Sequence, residues 1–285
     1  MATCPICNGQ GVIRSWEGFE CVACGSVSVL RLPSIQTLRD FYASYNDDYH
    51  GGGRKSGAQR RQWRYAVSYL KLAGRYVPRG RAIDIGPANS PFPNLLVHAG
   101  YEVAVADYAK PSGLNPRVRY IDLSFDEEGD TAPHAPMESF DLVTSFAVIE
   151  HTRNPRAWVK MITGLARPGA YLVLTTPEIG RFSDRNALGR TRWFSPPEHL
   201  HLVSGESMCG LFEQAGCMPV RQGRFELGPL RWTARYGLLA VEGAVGYAVR
   251  KAVPGFWQRS RENCRSLGQG IAYFVFRKPP VQGRN

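Results

Sequence analysis

The sequence predicts an α/β protein: a doubly wound, mostly parallel, seven-stranded sheet with a small zinc ribbon at its N-terminus. Three observations predict it. From Arg81 onward, short apolar runs alternate with helical patterns, the order that covers a parallel sheet on both faces. Seven such runs can be read between Arg81 and Lys278. Ahead of them, two CxxC pairs fall within the first 24 residues, a stretch too short to bury a core without help.

The ribbon comes first. Cys4 and Cys7 are followed, thirteen residues on, by Cys21 and Cys24. Two such knuckles set four thiolates around one tetrahedral Zn²⁺ and leave no position open for water or substrate, so the ion is read as structural. Two disulfides are the alternative, disfavoured for a chain that opens without a basic-then-apolar leader. Cys209, Cys217 and Cys264 stand singly and read as packing residues.

Ser34 then caps a helix whose apolar residues Ile35, Leu38, Phe41, Tyr42 and Tyr45 recur at helical spacing. The segment 46–57, with Gly51 to Gly53, reads as a loop. A second helix spans about Gln59 to Tyr76 and is stopped by Pro78. The strands follow as RAIDIG, YEVAVAD, RVRYID, FDLVTSF, AYLVLTT, CMPVRQGRFE and IAYFVFRK, with helices at Pro91 to Ala99, Pro155 to Leu165 and Glu206 to Ala215. The predicted organisation is a ribbon over 1–32, a helical lid or linker over 33–80, and a catalytic domain over 81–285.

Within that domain, 228–268 interrupts the alternation and reads as an inserted helix pair. It is expected to cap the substrate site or to form a contact in a homodimer. An interfacial helix making weak peripheral membrane contact is the alternative, weakened by Glu242 and several glycines.

Composition bounds the partners. The chain has 285 residues, 44% hydrophobic and 21% charged, which suits one large domain with appendages and excludes wholesale disorder. No run approaches the roughly 18 apolar residues of a membrane span. A soluble, cytoplasmic protein is expected. The net charge of +11 admits a nucleic acid, an anionic membrane or an anionic small substrate. The basic residues, mostly Arg, are scattered and choose none of these.

The turn DIGPANS after the first strand is where an open α/β sheet binds its ligand. About twenty residues on, the next strand ends at Asp107, a carboxylate able to accept both ribose hydroxyls. A nucleoside cofactor is implied. The turn offers Gly86 but then Ala88 and Ser90, where a dinucleotide pyrophosphate needs glycines for close backbone approach. S-adenosylmethionine has no pyrophosphate and tolerates them.

Downstream motifs point the same way: IDL with Asp122, VIEH followed by NP, ARPGAYLVLTTPE, and PPEHLHLVSGESMCGLFEQAG. With DIGPANS and Asp107, they make the stretch from about Arg81 to Lys278 resemble the class I S-adenosylmethionine-dependent methyltransferases, and the N-terminal ribbon is similar to that of sugar C-methyltransferases. The resemblance implies that Asp84 and Gly86, with Ala88 in the same turn, line the methionine moiety. It implies that Asp107 holds the ribose, that Asp122 and Leu123 face the adenine, and that Ser145, Phe146 and Ala147 lie beside the sulfonium. Tyr42, Tyr45 and Tyr49 would close over the cofactor as a lid.

A sulfonium methyl needs an aligned nucleophile and often a base, and histidine titrates in the right range. His151, after Glu150 at the end of the fourth strand, is one candidate. Glu198 and His199, in the loop after the fifth strand, match a Glu-His pair that the resemblance places in the active site of sugar C-methyltransferases. The same loop carries Arg181, Arg185, Arg190 and Arg192, which suit an anionic acceptor.

The expected activity is methyl transfer to the oxygen, nitrogen or carbon of a small molecule, such as a sugar or specialised metabolite. Two readings stand beside it. One is an RNA methyltransferase, against which the ribbon carries few basic residues and no aromatic-basic repeat. The other is a non-catalytic scaffold.

Overall fold

The computed structural model describes residues 3–13, 18–49, 56–123, 137–179, 194–225 and 271–280. Two sheets emerge. The smaller begins with β1 (Gly11–Ile13), β2 (Gly18–Cys21) and β3 (Val27–Val29), antiparallel neighbours hung on the cysteine knuckles. Helices α1 (Ile35–Tyr49) and α2 (Ser56–Gly74) follow. Both extend into the segment predicted as a loop, because no glycine or proline interrupts the chain between Ser34 and Gly51 and Ser56 can already begin the next helix.

The larger sheet is built from β4 (Arg81–Ile85), β5 (Glu102–Asp107), β6 (Arg119–Asp122), β7 (Phe140–Phe146), β8 (Ala166–Pro177), β10 (Met218–Arg224) and β11 (Ile271–Arg277). Its order is β10-β11-β8-β7-β4-β5-β6. The five strands β4 to β8 run parallel, and β11 lies antiparallel to both β8 and β10. This is the seven-stranded, mostly parallel sheet the sequence predicts. The reversal of strand order beside β4 makes the switch point at which such sheets bind ligands.

The covering helices obey local chemistry. α3 (Phe92–His98) starts after Pro91 and buries Phe92, Leu95 and Leu96. α4 (Pro155–Leu165) is capped by Asn154, whose side chain accepts from Ala157 N, with Pro155 pre-set in the first turn. α5 (Gly205–Gln214) is capped by Ser204, which accepts from Ser207 N. Alternation along β4 sends Ile83 and Ile85 to one core with α4 and α5, and Ala82 to another with α2 and α3. The ribbon residues Cys4, Ile6 and Phe19 belong to the first core.

A two-residue strand, β9 (His201–Leu202), pairs antiparallel with β3 and completes the small sheet. Val27, Val29, Leu200 and Leu202 share a satellite core with Ile179 and Phe194. The ribbon is therefore knitted to the segment after β8 rather than tethered beside it. The segment 228–268 lies outside the described residues. Among the described residues, no helix is long and apolar enough to cross a membrane.

Candidate functional site

The turn after β4 is tight. Gly86 sits at φ +68°, and a Cβ there would meet Val148 Cγ2 at 2.8 Å, so only glycine fits. Ala88 is also left-handed, at φ +47°. Its N–H donates to Asp107 Oδ2 at 2.8 Å, while Tyr108 N–H donates to Asp107 Oδ1 at 2.8 Å. Asp107 thus closes the turn from the neighbouring strand. With Ala109 N–H as a third backbone partner, the carboxylate keeps lone-pair capacity for a ribose hydroxyl.

Asp84, one step inside β4, is buried and accepts from Thr144 Oγ1 at 2.7 Å. Burial raises its pKa to about 8, against the lowering effect of that bond. Burial likewise raises Asp107 to about 6, with backbone N–H groups opposing. At pH 7 Asp84 is then largely protonated and Asp107 largely ionised, and a ligand bearing positive charge would favour the ionised form of both. The ammonium and sulfonium of S-adenosylmethionine are of that kind.

The remaining predicted cofactor residues occupy the same sheet end in different ways. Asp122 pairs with Asp107 in the β5–β6 register and is exposed, accepting from Tyr120 OH at 3.3 Å. Leu123 is buried, and its N–H donates to Asp107 O at 3.0 Å. Ser145 is buried, and its hydroxyl donates to Ile85 O at 3.1 Å. The Phe146 ring stacks on Tyr69 with centroids 3.7 Å apart. Ala147 takes φ +56° and donates to Thr175 O at 2.8 Å, which turns the chain out of β7.

Beyond that turn lies a second cluster. Glu150 and His151 form a single 3₁₀ turn (Ile149–His151), and Leu200 N–H donates to Glu150 O at 2.7 Å, drawing in the segment of Glu198 and His199. The His151 and His199 rings meet edge to face with centroids 4.7 Å apart. Tyr42 OH lies 3.0 Å from His151 Nδ1. The Glu150 carboxyl is fully buried and accepts from Thr176 Oγ1 at 2.9 Å through Oε2. Burial lifts Glu150 to about 8 and, with the nearby His199, drops His151 to about 3. At neutral pH the histidine is an uncharged, weakly basic imidazole.

So the predicted residues fall into two neighbouring groups, Asp84, Gly86, Ala88 and Asp107 in one, and His151, Glu198 and His199 in the other. Tyr42, expected from the sequence in a lid, lies with its hydroxyl against His151. Glu150 was missed as a site residue, although VIEH placed it beside His151, because nothing in the motif signals a fully buried carboxyl. His201 is not near solvent: its Nδ1 lies 2.8 Å from Ser28 Oγ and its Nε2 2.9 Å from Thr152 O. The arginines 181, 185, 190 and 192 lie outside the described residues.

The cysteine tetrad is equally compact. Cys4 Sγ is 3.8 Å from Cys24 Sγ, and Cys7 Sγ is 3.4 Å from Cys21 Sγ. A tetrahedral ion with bonds of about 2.3 Å holds its sulfurs roughly 3.8 Å apart, so the donor set fits one. Gly9 N–H donates to Cys7 Sγ at 3.3 Å, the turn expected of a knuckle. Cys209 is half-buried and Cys217 buried in the first core, as packing residues.

Comparison with known proteins adds four findings. A family profile described as a methyltransferase domain matches residues 58–222, more than half of the chain. A ubiquinone biosynthesis O-methyltransferase of Ruegeria pomeroyi is 24% identical over 162 residues, 53% of this chain and 65% of that protein, so the chain spans under two thirds of that relative. A probable S-adenosylmethionine-dependent methyltransferase of Mycolicibacterium smegmatis is 27% identical over 199 residues, 68% of this chain and 75% of the other. Among solved structures, the 1,6-didemethyltoxoflavin-N1-methyltransferase of Burkholderia thailandensis, with bound 1,6-didemethyltoxoflavin and S-adenosylhomocysteine, superposes with a TM-score of 0.54 at 15% identity. That superposition covers 92% of this chain and 99% of that one.

Proposed function

The chain belongs to the methyltransferase-domain family, and on that premise we propose that it transfers a methyl group from S-adenosylmethionine to a small-molecule acceptor. The observation that carries the reading is the closed turn of Gly86 and Ala88 against Asp107, with buried Asp84 beside it. Asp84 and the turn would hold the methionine end, Asp107 the ribose, and Asp122 with Leu123 would face the adenine. The cofactor supplies an electrophilic methyl on a sulfonium.

This chain's residues do the rest. Phe146 and the Ala147 turn shape the floor where methyl and acceptor meet. His199, as base or substrate contact, and His151 beside it face the acceptor. Glu198 lies beside them. The four cysteines would hold one structural Zn²⁺, which folds a ribbon over 1–32. Residues 33–80 serve as a helical lid or linker whose second helix packs on the sheet, and 81–285 as the catalytic domain.

The test is methyl transfer from radiolabelled S-adenosylmethionine to a panel of hydroxylated, phenolic and amino small molecules. The reading expects labelled product from at least one class, lost at least tenfold in His199→Ala while S-adenosylhomocysteine still binds. Undiminished turnover in His199→Ala would remove that residue from the chemistry.

A further inference from the structure

Beyond the cofactor crevice and the cysteine tetrad, we propose that Glu150, His151 and His199 form a second metal site, one that takes a divalent transition-metal cation. Each residue offers one donor atom, and the three atoms lie within 4.8 Å of one another. His151 Nε2 is 4.0 Å from Glu150 Oε1. Bonds of about 2.1 Å place neighbouring donors roughly 3.0 to 3.4 Å apart, so binding draws the cluster together by about an ångström.

Two features separate this cluster from a chance grouping. Glu150 Oε1 is fully buried and has no hydrogen-bond partner among the described residues, while its sister oxygen is fixed by Thr176. A buried carboxyl oxygen left unbonded beside an imidazole nitrogen is a donor that a cation would satisfy. The second feature is outside the ring. Tyr42 OH, 3.0 Å from His151 Nδ1, engages the nitrogen remote from Glu150 and so presents Nε2 to it. Metal-ligating histidines are commonly oriented in this way through their other nitrogen.

The donor set also selects the ion. Two imidazoles and one carboxylate suit Mn²⁺, Fe²⁺, Co²⁺ or Zn²⁺ and leave coordination positions open. The tetrathiolate ribbon, by contrast, prefers soft ions. The site adjoins the end of β7, so on the methyltransferase reading it would draw an acceptor through an oxygen, with the histidines serving as ligands rather than as bases. Cation binding itself does not depend on that reading.

Manganese tests the proposal, because it is too hard to compete for four thiolates. The full-length protein, carrying zinc in its ribbon, is titrated with Mn²⁺ while the electron paramagnetic resonance signal of free ion is followed. One Mn²⁺ per chain is expected beyond the ribbon zinc. Glu150→Gln and His199→Ala, checked for folding by circular dichroism, should each weaken binding at least 100-fold, and Tyr42→Phe about tenfold. Absence of Mn²⁺ and Co²⁺ binding by the folded wild type would overturn the proposal. So would binding that survives both ligand substitutions unchanged. S-adenosylhomocysteine binding on the same samples reports the cofactor reading separately.

Discussion

His201 and Ser28 meet across 173 residues of chain, with Nδ1 2.8 Å from Oγ and both side chains buried. The contact fastens the cysteine ribbon to the segment that carries His199. Val29 N–H adds a second tie, donating to Leu200 O at 2.9 Å, and Ser204 Oγ donates to Cys24 O at 2.7 Å. These bonds join the small sheet to the stretch that carries His199.

His201→Ala should lower unfolding stability by about 2–4 kcal/mol, since it leaves the Thr152 carbonyl and the Ser28 hydroxyl buried without their partner. Urea unfolding measures it. S-adenosylhomocysteine affinity should change little. A loss below about 1 kcal/mol would show that the contact contributes little to the join.

Cys7→Ser should release the ribbon metal, because three thiolates bind far less tightly than four. Metal analysis should find zinc in the wild type and little in the variant. Because β3 pairs with β9, the amides of 200–203 should also exchange with deuterium faster in the variant. Unchanged protection there would separate ribbon and site.

Gly86→Ala should cost about 1–3 kcal/mol, the strain of a left-handed residue added to the close approach of Val148. Its affinity for S-adenosylhomocysteine should fall at least tenfold as the turn opens. Wild-type affinity at reduced stability would place the cofactor elsewhere.

Asp84 sets a pH dependence whose sign can be stated. Its pKa in the fold is raised to about 8 by burial, against 3.8 for the ordinary group. The protonated form therefore stabilises the free protein; that contribution is complete below about pH 3.8 and is lost as pH rises through 8. A cationic ligand needs the carboxylate, so binding S-adenosylmethionine at pH 7 should release close to one proton. Calorimetry in buffers of differing ionisation enthalpy reads this number directly. Asp84→Asn should abolish the release along with most of the affinity.

Much of this architecture was legible in the chain. The strands of the large sheet announce themselves because RAIDI, EVAVAD and FDLVTSF are buried on both faces and so read as near-continuous apolar runs. The cysteine tetrad follows from spacing, and Asp107 from its place at the end of β5. What escaped reading depends on distant pairing. β9 is two residues long, and nothing in HL signals a partner near residue 28. The burial of Glu150 beside Thr176 arises only once β8 is laid against β7. Tyr42 joins His151 because α1 docks over that strand end, a tertiary event that helical periodicity cannot encode.

The most direct measurement is calorimetric titration of the zinc-loaded, full-length chain with S-adenosylhomocysteine. Saturable binding at one site per chain, weakened at least tenfold by Asp107→Ala, is the result predicted. A folded protein that takes up no S-adenosylhomocysteine, or binds it equally well without the Asp107 carboxylate, would contradict the account.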